Sequence, residues 1–234
     1  MKIVKSKLTR LIFRTIYCTI AIIAIMGSLG YFDASFNTTF YVYYTNLSNY
    51  ICIGLMFACL IFDIKYFNTD REKDVAPKFK FMSMIMILVT FLVYNILLAK
   101  DYTVKEYFTS ISNLLNHVIL PVMFILDWIL FYTHGKTKWY YPLLCLIMPL
   151  IYVTYILIRA GILKAIGHSN TLLYPYFFLD LDTLGVGGFI GWIVALVLIF
   201  VAIGYLFYLA DRFAFRKKIN QNTKISEQED NTIK

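Results

Sequence analysis

Gly188 to Ala210 reads G-F-I-G-W-I-V-A-L-V-L-I-F-V-A-I-G-Y-L-F-Y-L-A, twenty-three residues without a charge. As a helix rising 1.5 Å per residue, such a run spans about 34 Å, enough to cross the roughly 30 Å hydrocarbon core of a bilayer. A barrel strand would alternate apolar and polar residues over about 10 positions. This run does not alternate, so it reads as a transmembrane helix. Five similar blocks precede it, at about 11–31, 43–67, 79–99, 110–132 and 139–160, with ends uncertain by about 2–4 residues. The expected fold is all-α: a polytopic membrane protein whose six spans form one bundle over residues 1–211. The connections are short. Only the loop Asn68 to Lys78 and the polar segment 212–234 stand apart, and the latter reads as a disordered cytoplasmic tail.

Bulk composition agrees. The 234 residues are 60% hydrophobic and 15% charged, against about a quarter charged in a soluble domain. Of the 22 Lys and Arg, eighteen fall on one side of the predicted topology: the N-terminal segment, the second-to-third loop with its flanks, Lys136 and Lys138, and the tail. The other side holds only Lys100, Lys105, Arg159 and Lys164. Excess positive charge stays cytoplasmic, so both termini are expected in the cytoplasm and the protein in the cell membrane. The net charge of +8 then reflects topology and contact with anionic lipid. No soluble basic face suggests nucleic acid. A cleaved signal peptide is the alternative for the first span, but its apolar core exceeds the usual 7–15 residues.

Cys18, Cys52, Cys59 and Cys145 all lie in apolar runs without C-x-x-C spacing, so they read as small buried hydrophobes. His134 is expected in a cytoplasmic turn and His168 in an outer loop, neither with a partner at metal-ligand spacing. Neither metal nor cofactor is expected. Asp127 and Trp128 read as a polar anchor with an interfacial tryptophan, or as a bundle lock.

The polar residues that enter the spans carry the functional signal. Span two opens with Y-Y-T-N-L-S-N-Y (residues 43–50) and span four with Y-F-T-S-I-S-N-L (residues 107–114). The echo fits a duplicated helical hairpin. Ser48, Asn49, Ser112 and Asn113 suit helix capping and close packing as well as chemistry. His117 lies about seven residues into span four, and ionisable groups at that depth usually face a polar interior. Asn113 is one turn earlier and can orient the imidazole; Pro121, one turn later, has no N–H for the His117 carbonyl. Thr45 enters span two at similar depth. A hydroxyl beside a histidine base is the minimum for nucleophilic acyl chemistry. Thr109 is a poorer partner, about 12 Å from His117 along one helix. Asp180, in L-D-L-D, either caps the last helix or binds a cation or orients the histidine.

Taken in order, Y-Y-T-N-L-S-N, N-H-V-I-L-P-V-M-F-I-L-D-W-I-L-F, Y-V-T-Y-I-L-I-R-A-G and Y-P-Y-F-F-L-D resemble the bacterial branch of the androgen-induced gene product family of six-pass membrane proteins. The resemblance runs from the first span to Asp211. Animal members are threonine hydrolases that cleave fatty acid esters of hydroxy fatty acids. By motif, the resemblance implies Thr45 as nucleophile and His117 as base, although Thr45 is followed by N-L-S-N where the animal threonine precedes a mostly apolar stretch. It implies a hydrolase of fatty acyl esters whose partners are membrane lipids, with Tyr43, Asn49 and Asn113 as candidate oxyanion donors and Ser48 and Asp180 as supporting residues. The alternative is a transporter or lipid-binding protein that uses the same polar cleft without covalent chemistry.

Overall fold

The computed structural model describes residues 2–69, 73–99, 110–168 and 171–232, with the backbone alone at residue 33 and beyond 213. Six helices follow one another: α1 (Lys7–Ser28), α2 (Tyr44–Lys65), α3 (Pro77–Leu98), α4 (Ile111–Phe131), α5 (Tyr141–Ala165) and α6 (Leu181–Thr232). All six are long and apolar enough to cross a membrane, and the described residues contain no strand. The chain is therefore an all-helical, multi-pass membrane protein in form.

Ends are set by local chemistry. Ser6 caps α1 by accepting from the Thr9 N–H at 3.2 Å, and Pro77 opens α3 at a position where its missing N–H costs nothing. The last helix departs most from expectation. It begins at Leu181, is broken by positive φ at Gly185 (+65°), and runs to Thr232. Helical backbone continues through the polar segment 212–232. Its Lys, Gln and Glu are good helix formers, and it continues a helix already begun.

Successive helices run antiparallel, so the bundle has two ends. At one lie the starts of α1 and α3 and the ends of α2 and α4, joined by a buried ionic network. Arg10 Nε donates to Asp63 at 3.0 Å, and Arg14 donates to Asp63 and to Asp127, each at 2.8 Å. Lys80 pairs with Asp127, which is wholly inaccessible. Arg10, Arg14 and Lys80 therefore do not simply sit in water beside the membrane. Buried charges must be paired, and the two aspartates lie at the level where these cations enter. Asp127 and Trp128 are likewise buried, so the interfacial-anchor reading gives way to a lock inside the bundle. His134 is buried too. Its Nδ1 meets Asp211 at 2.7 Å, and Asp211 also accepts from the N–H groups of Gly135 and Thr137, fastening α6 to the α4–α5 turn.

Above this network the core is apolar. Tyr17, Met56, Phe81, Met84, Ile85 and Phe124 pack together, and the four cysteines are buried as free thiols. The opposite end is polar and holds a cavity. Gly27 allows α1 and α4 to meet there, since a Cβ at that position would stand 3.0 Å from the Ser112 Cβ.

Candidate functional site: a polar cavity beside an apolar slot

A cavity of about 480 Å³ lies between the ends of α1 and α3, the starts of α2 and α4, and the loop before α6. That is within the range of small-molecule sites. Two π-helical turns border it: Tyr94–Leu98 ends α3, and Leu115–Ile119 interrupts α4. Such turns are rare and concentrate at functional sites.

The turn in α4 has a cause in the sequence. The Leu120 N–H donates five residues back, to the Leu115 carbonyl, and Pro121 has no N–H. The Asn116 carbonyl thus lacks a donor from its own helix at either the α or the π spacing. Asn49 on α2 supplies one: its Nδ2 donates to the Asn116 carbonyl and to the Thr45 carbonyl, each at 2.9 Å. One amide therefore ties the turn that carries Thr45 to the turn that carries His117.

His117 lines the cavity with its ring stacked on Tyr94, centroids 3.3 Å apart and planes 14° apart. The Tyr94 hydroxyl donates to Asn113 Oδ1 at 2.5 Å, so Asn113 acts on the imidazole by way of Tyr94. His117 Nδ1 is buried and has no hydrogen-bond partner. Thr45, 6% exposed, lines the same cavity. Its Oγ1 lies 3.5 Å from the Tyr176 hydroxyl, which also accepts from the Thr45 N–H at 3.4 Å. That N–H belongs to the first turn of α2 and has no carbonyl partner within the helix. No side chain of the opening octad caps α2; a distant tyrosine does so. Burial pushes the Tyr176 phenol above its ordinary pKa, opposed in part by its bonds to Thr45, so it stays protonated.

The expected hydrogen bond between Thr45 and His117 is not formed. The two share one cavity, but Thr45 faces Tyr176 and His117 faces Tyr94. The other expected residues divide. Tyr43 and Asn113 line the cavity. Asn49 holds its frame. Ser48 is a packing residue, donating to the Thr45 carbonyl and accepting from Thr90 Oγ1 on α3. Asp180 is a helix cap and does not line the cavity: it accepts from the N–H groups of Asp182 and Thr183 and from Thr183 Oγ1. Those Thr183 bonds hold its carboxyl below the usual carboxylate range. Thr109, like Tyr107, Lys100 and Lys105, lies outside the described residues.

Beside the polar cavity is a smaller apolar one of about 80 Å³, reaching between α3, α5 and α6 past Val153 and Leu196. The two share Thr45, Tyr94, Leu98 and Tyr176 as walls. Thr45 thus stands at the seam between a polar and an apolar space. Tyr94, Asn116 and Tyr176 carry much of this geometry and were not singled out from sequence. Tyr176 sits in a loop that reads as interfacial, and Asn116 is masked by the adjacent histidine.

The site defined by this fold is a polar cavity lined by a hydroxyl and an imidazole, with an apolar annexe that the hydroxyl-bearing residue also borders. No family model, curated protein or solved structure matches the chain.

Proposed function

We propose that the chain is an integral-membrane hydrolase of fatty acyl esters, with Thr45 as nucleophile and His117 as general base. The observation that carries this reading is the position of Thr45 at the seam. An ester carbonyl occupies just such a boundary, with its acyl chain on the apolar side and its alcohol on the polar side. The resemblance to the androgen-induced family stands without a matching family model, so the roles of Thr45 and His117 rest on the cavity they share.

In the resting chain Tyr176 holds the Thr45 hydroxyl. Substrate entry displaces that contact, and Thr45 Oγ attacks the carbonyl as His117 takes its proton. The freed Tyr176 hydroxyl, already beside the Thr45 N–H, donates to the developing oxyanion. His117 returns the proton to the departing alkoxide, leaving acyl-threonine. Water, deprotonated by His117, attacks the acyl carbon, and the fatty acid departs as Thr45 Oγ takes the proton back from His117. With both termini cytoplasmic, as the charge distribution favours, the cavity opens toward the outer leaflet, where an ester arrives by lateral diffusion.

Turnover of a fluorogenic acyl ester by the purified protein tests the assignment. Thr45→Ala and His117→Ala should each lower kcat by about 10²-fold or more, and Asp180→Ala should not. Equal rates in all three variants would refute it. One observation favours a second reading, a non-enzymatic lipid-binding protein or transporter: the Thr45 hydroxyl rests on Tyr176 and not on the histidine. Lipid flux in liposomes without hydrolysis, unchanged by Thr45→Ala, would select that reading.

A further inference from the structure

His134 lies in the turn between α4 and α5, 1% exposed, and the proposed reaction makes no use of it. Both of its ring nitrogens are engaged. Nε2 lies 2.7 Å from the Ile129 carbonyl. That carbonyl belongs to the last turn of α4, where acceptors lack donors from their own helix. The Thr133 N–H, which would reach it in a longer helix, goes instead to Asp74 Oδ2 at 3.1 Å. Nδ1 lies 2.7 Å from Asp211 Oδ1 on α6. The other carboxylate oxygen of Asp211 accepts from the N–H groups of Gly135 at 3.1 Å and Thr137 at 3.2 Å.

A carbonyl and a carboxylate only accept, so each ring nitrogen must donate, and only the imidazolium donates from both. A neutral ring would turn a lone pair on the carbonyl or on the carboxylate, in a buried site where such a mismatch is costly. The end of α4 favours the cation as well, because a helix C-terminus carries partial negative charge. Packed on the ring from α4 are Trp128, edge-on with centroids 5.0 Å apart, and Tyr132 at 5.6 Å. Further out, Asp74 pairs with Lys2 at 3.8 Å, Arg212 on α6 donates to the Tyr208 hydroxyl at 2.5 Å, and Lys136 and Lys138 of the turn are exposed. The charge that answers the imidazolium is therefore Asp211.

We infer that His134 and Asp211 form a proton-dependent latch, closed while the imidazolium is present and released as rising pH removes its proton. The sign follows from the contacts. The closed state binds one proton that the neutral ring lacks, so alkaline conditions disfavour it, and histidine is the side chain suited to change charge in the physiological range. What the latch holds is α6, which walls the apolar slot through Ile193, Leu196 and Phe200 and whose backbone continues as helix to Thr232. The latch owes nothing to Thr45 or His117 and stands whether or not the chain hydrolyses esters.

Two readouts on the full chain in zwitterionic nanodiscs test it between about pH 6 and about pH 9. One is the ring-nitrogen NMR spectrum of isotope-labelled histidine, with the His134 signals assigned by their loss in His134→Gln. The other is hydrogen-exchange protection of the Gly135 and Thr137 amides. Both ring nitrogens of His134 should be protonated at the acid end. Toward the alkaline end one proton should leave, and protection of the two amides should fall at least about tenfold, while amides around Met56 in the core of α2 keep theirs. Asp211→Asn should remove the pH dependence without opening the latch, since its amide nitrogen can donate to the neutral ring while its oxygen accepts from Gly135 and Thr137. Asp211→Leu should leave both amides unprotected across the range. Three results would overturn the inference: a single proton on the His134 ring throughout, protection of the two amides that does not change with pH in the unmodified chain, or an Asp211→Asn variant as pH-dependent as the unmodified chain.

Discussion

Tyr176 is the residue on which the site's resting state turns. Its hydroxyl satisfies the Thr45 N–H and lies beside Thr45 Oγ1, so in the proposed mechanism it both holds the nucleophile and donates to the oxyanion. Tyr176→Phe removes the hydroxyl while keeping the ring that packs on Tyr43 and Phe178. The expected result in ester turnover is a kcat lower by about 10²-fold with KM little changed. The unfolding midpoint should reflect about 1 kcal/mol, the usual worth of one hydrogen bond. A loss confined to stability would make Tyr176 a cap and nothing more. Thr45 and His117 were legible from sequence because polar side chains at membrane depth are conspicuous. Their neighbours were not. Tyr94, Asn116 and Tyr176 are ordinary residues in a chain rich in tyrosine and asparagine, and only packing shows that one stacks on the imidazole, another lines the cavity and the third grips the hydroxyl.

At the scale of the element, the π-helical turn of α4 sets where His117 points. Hydropathy located α4 to within a residue or two, because a run of apolar side chains is a sum over many positions. It could not show the π turn, which depends on the donor missing at Pro121 and on Asn49 supplying its replacement from another helix. Pro121→Ala restores an N–H to α4. The variant should regain α spacing and turn the imidazole by about 100° for one residue of register. Ester turnover should fall sharply while thermal stability holds or rises. Asn49→Leu should strand the Thr45 and Asn116 carbonyls and cost about 1–3 kcal/mol, read from chemical unfolding in detergent. Wild-type stability in that variant would mean that the bridge between α2 and α4 is dispensable.

For the whole molecule, two ends of opposite character follow from where charge is placed. One end buries three cations and two aspartates in a single network; the other holds the polar cavity, which no Lys, Arg, Asp or Glu lines among the described residues. In the sequence Arg10, Arg14 and Lys80 count simply as positive charge on the side expected to be cytoplasmic, because composition cannot distinguish a charge at the interface from one folded inward against an aspartate on another helix. Asp127→Asn should leave Lys80 and Arg14 short of countercharge and cost about 3–5 kcal/mol in detergent unfolding. Adding Lys80→Met should recover part of that loss. Topology is tested with an impermeant thiol reagent, against a low background since the native cysteines are buried. Lys138→Cys should label only from the cytoplasmic side and Asn37→Cys only from the other.

The most direct measurement is the mass of the protein during turnover. Rapid quenching with a slow acyl ester, followed by peptide mass spectrometry, should find one acyl group on the Thr45 hydroxyl, absent in Thr45→Ala and absent or much reduced in His117→Ala. Ester cleavage with no acyl group on Thr45, or an acyl group carried by another residue and untouched by these changes, would contradict the account.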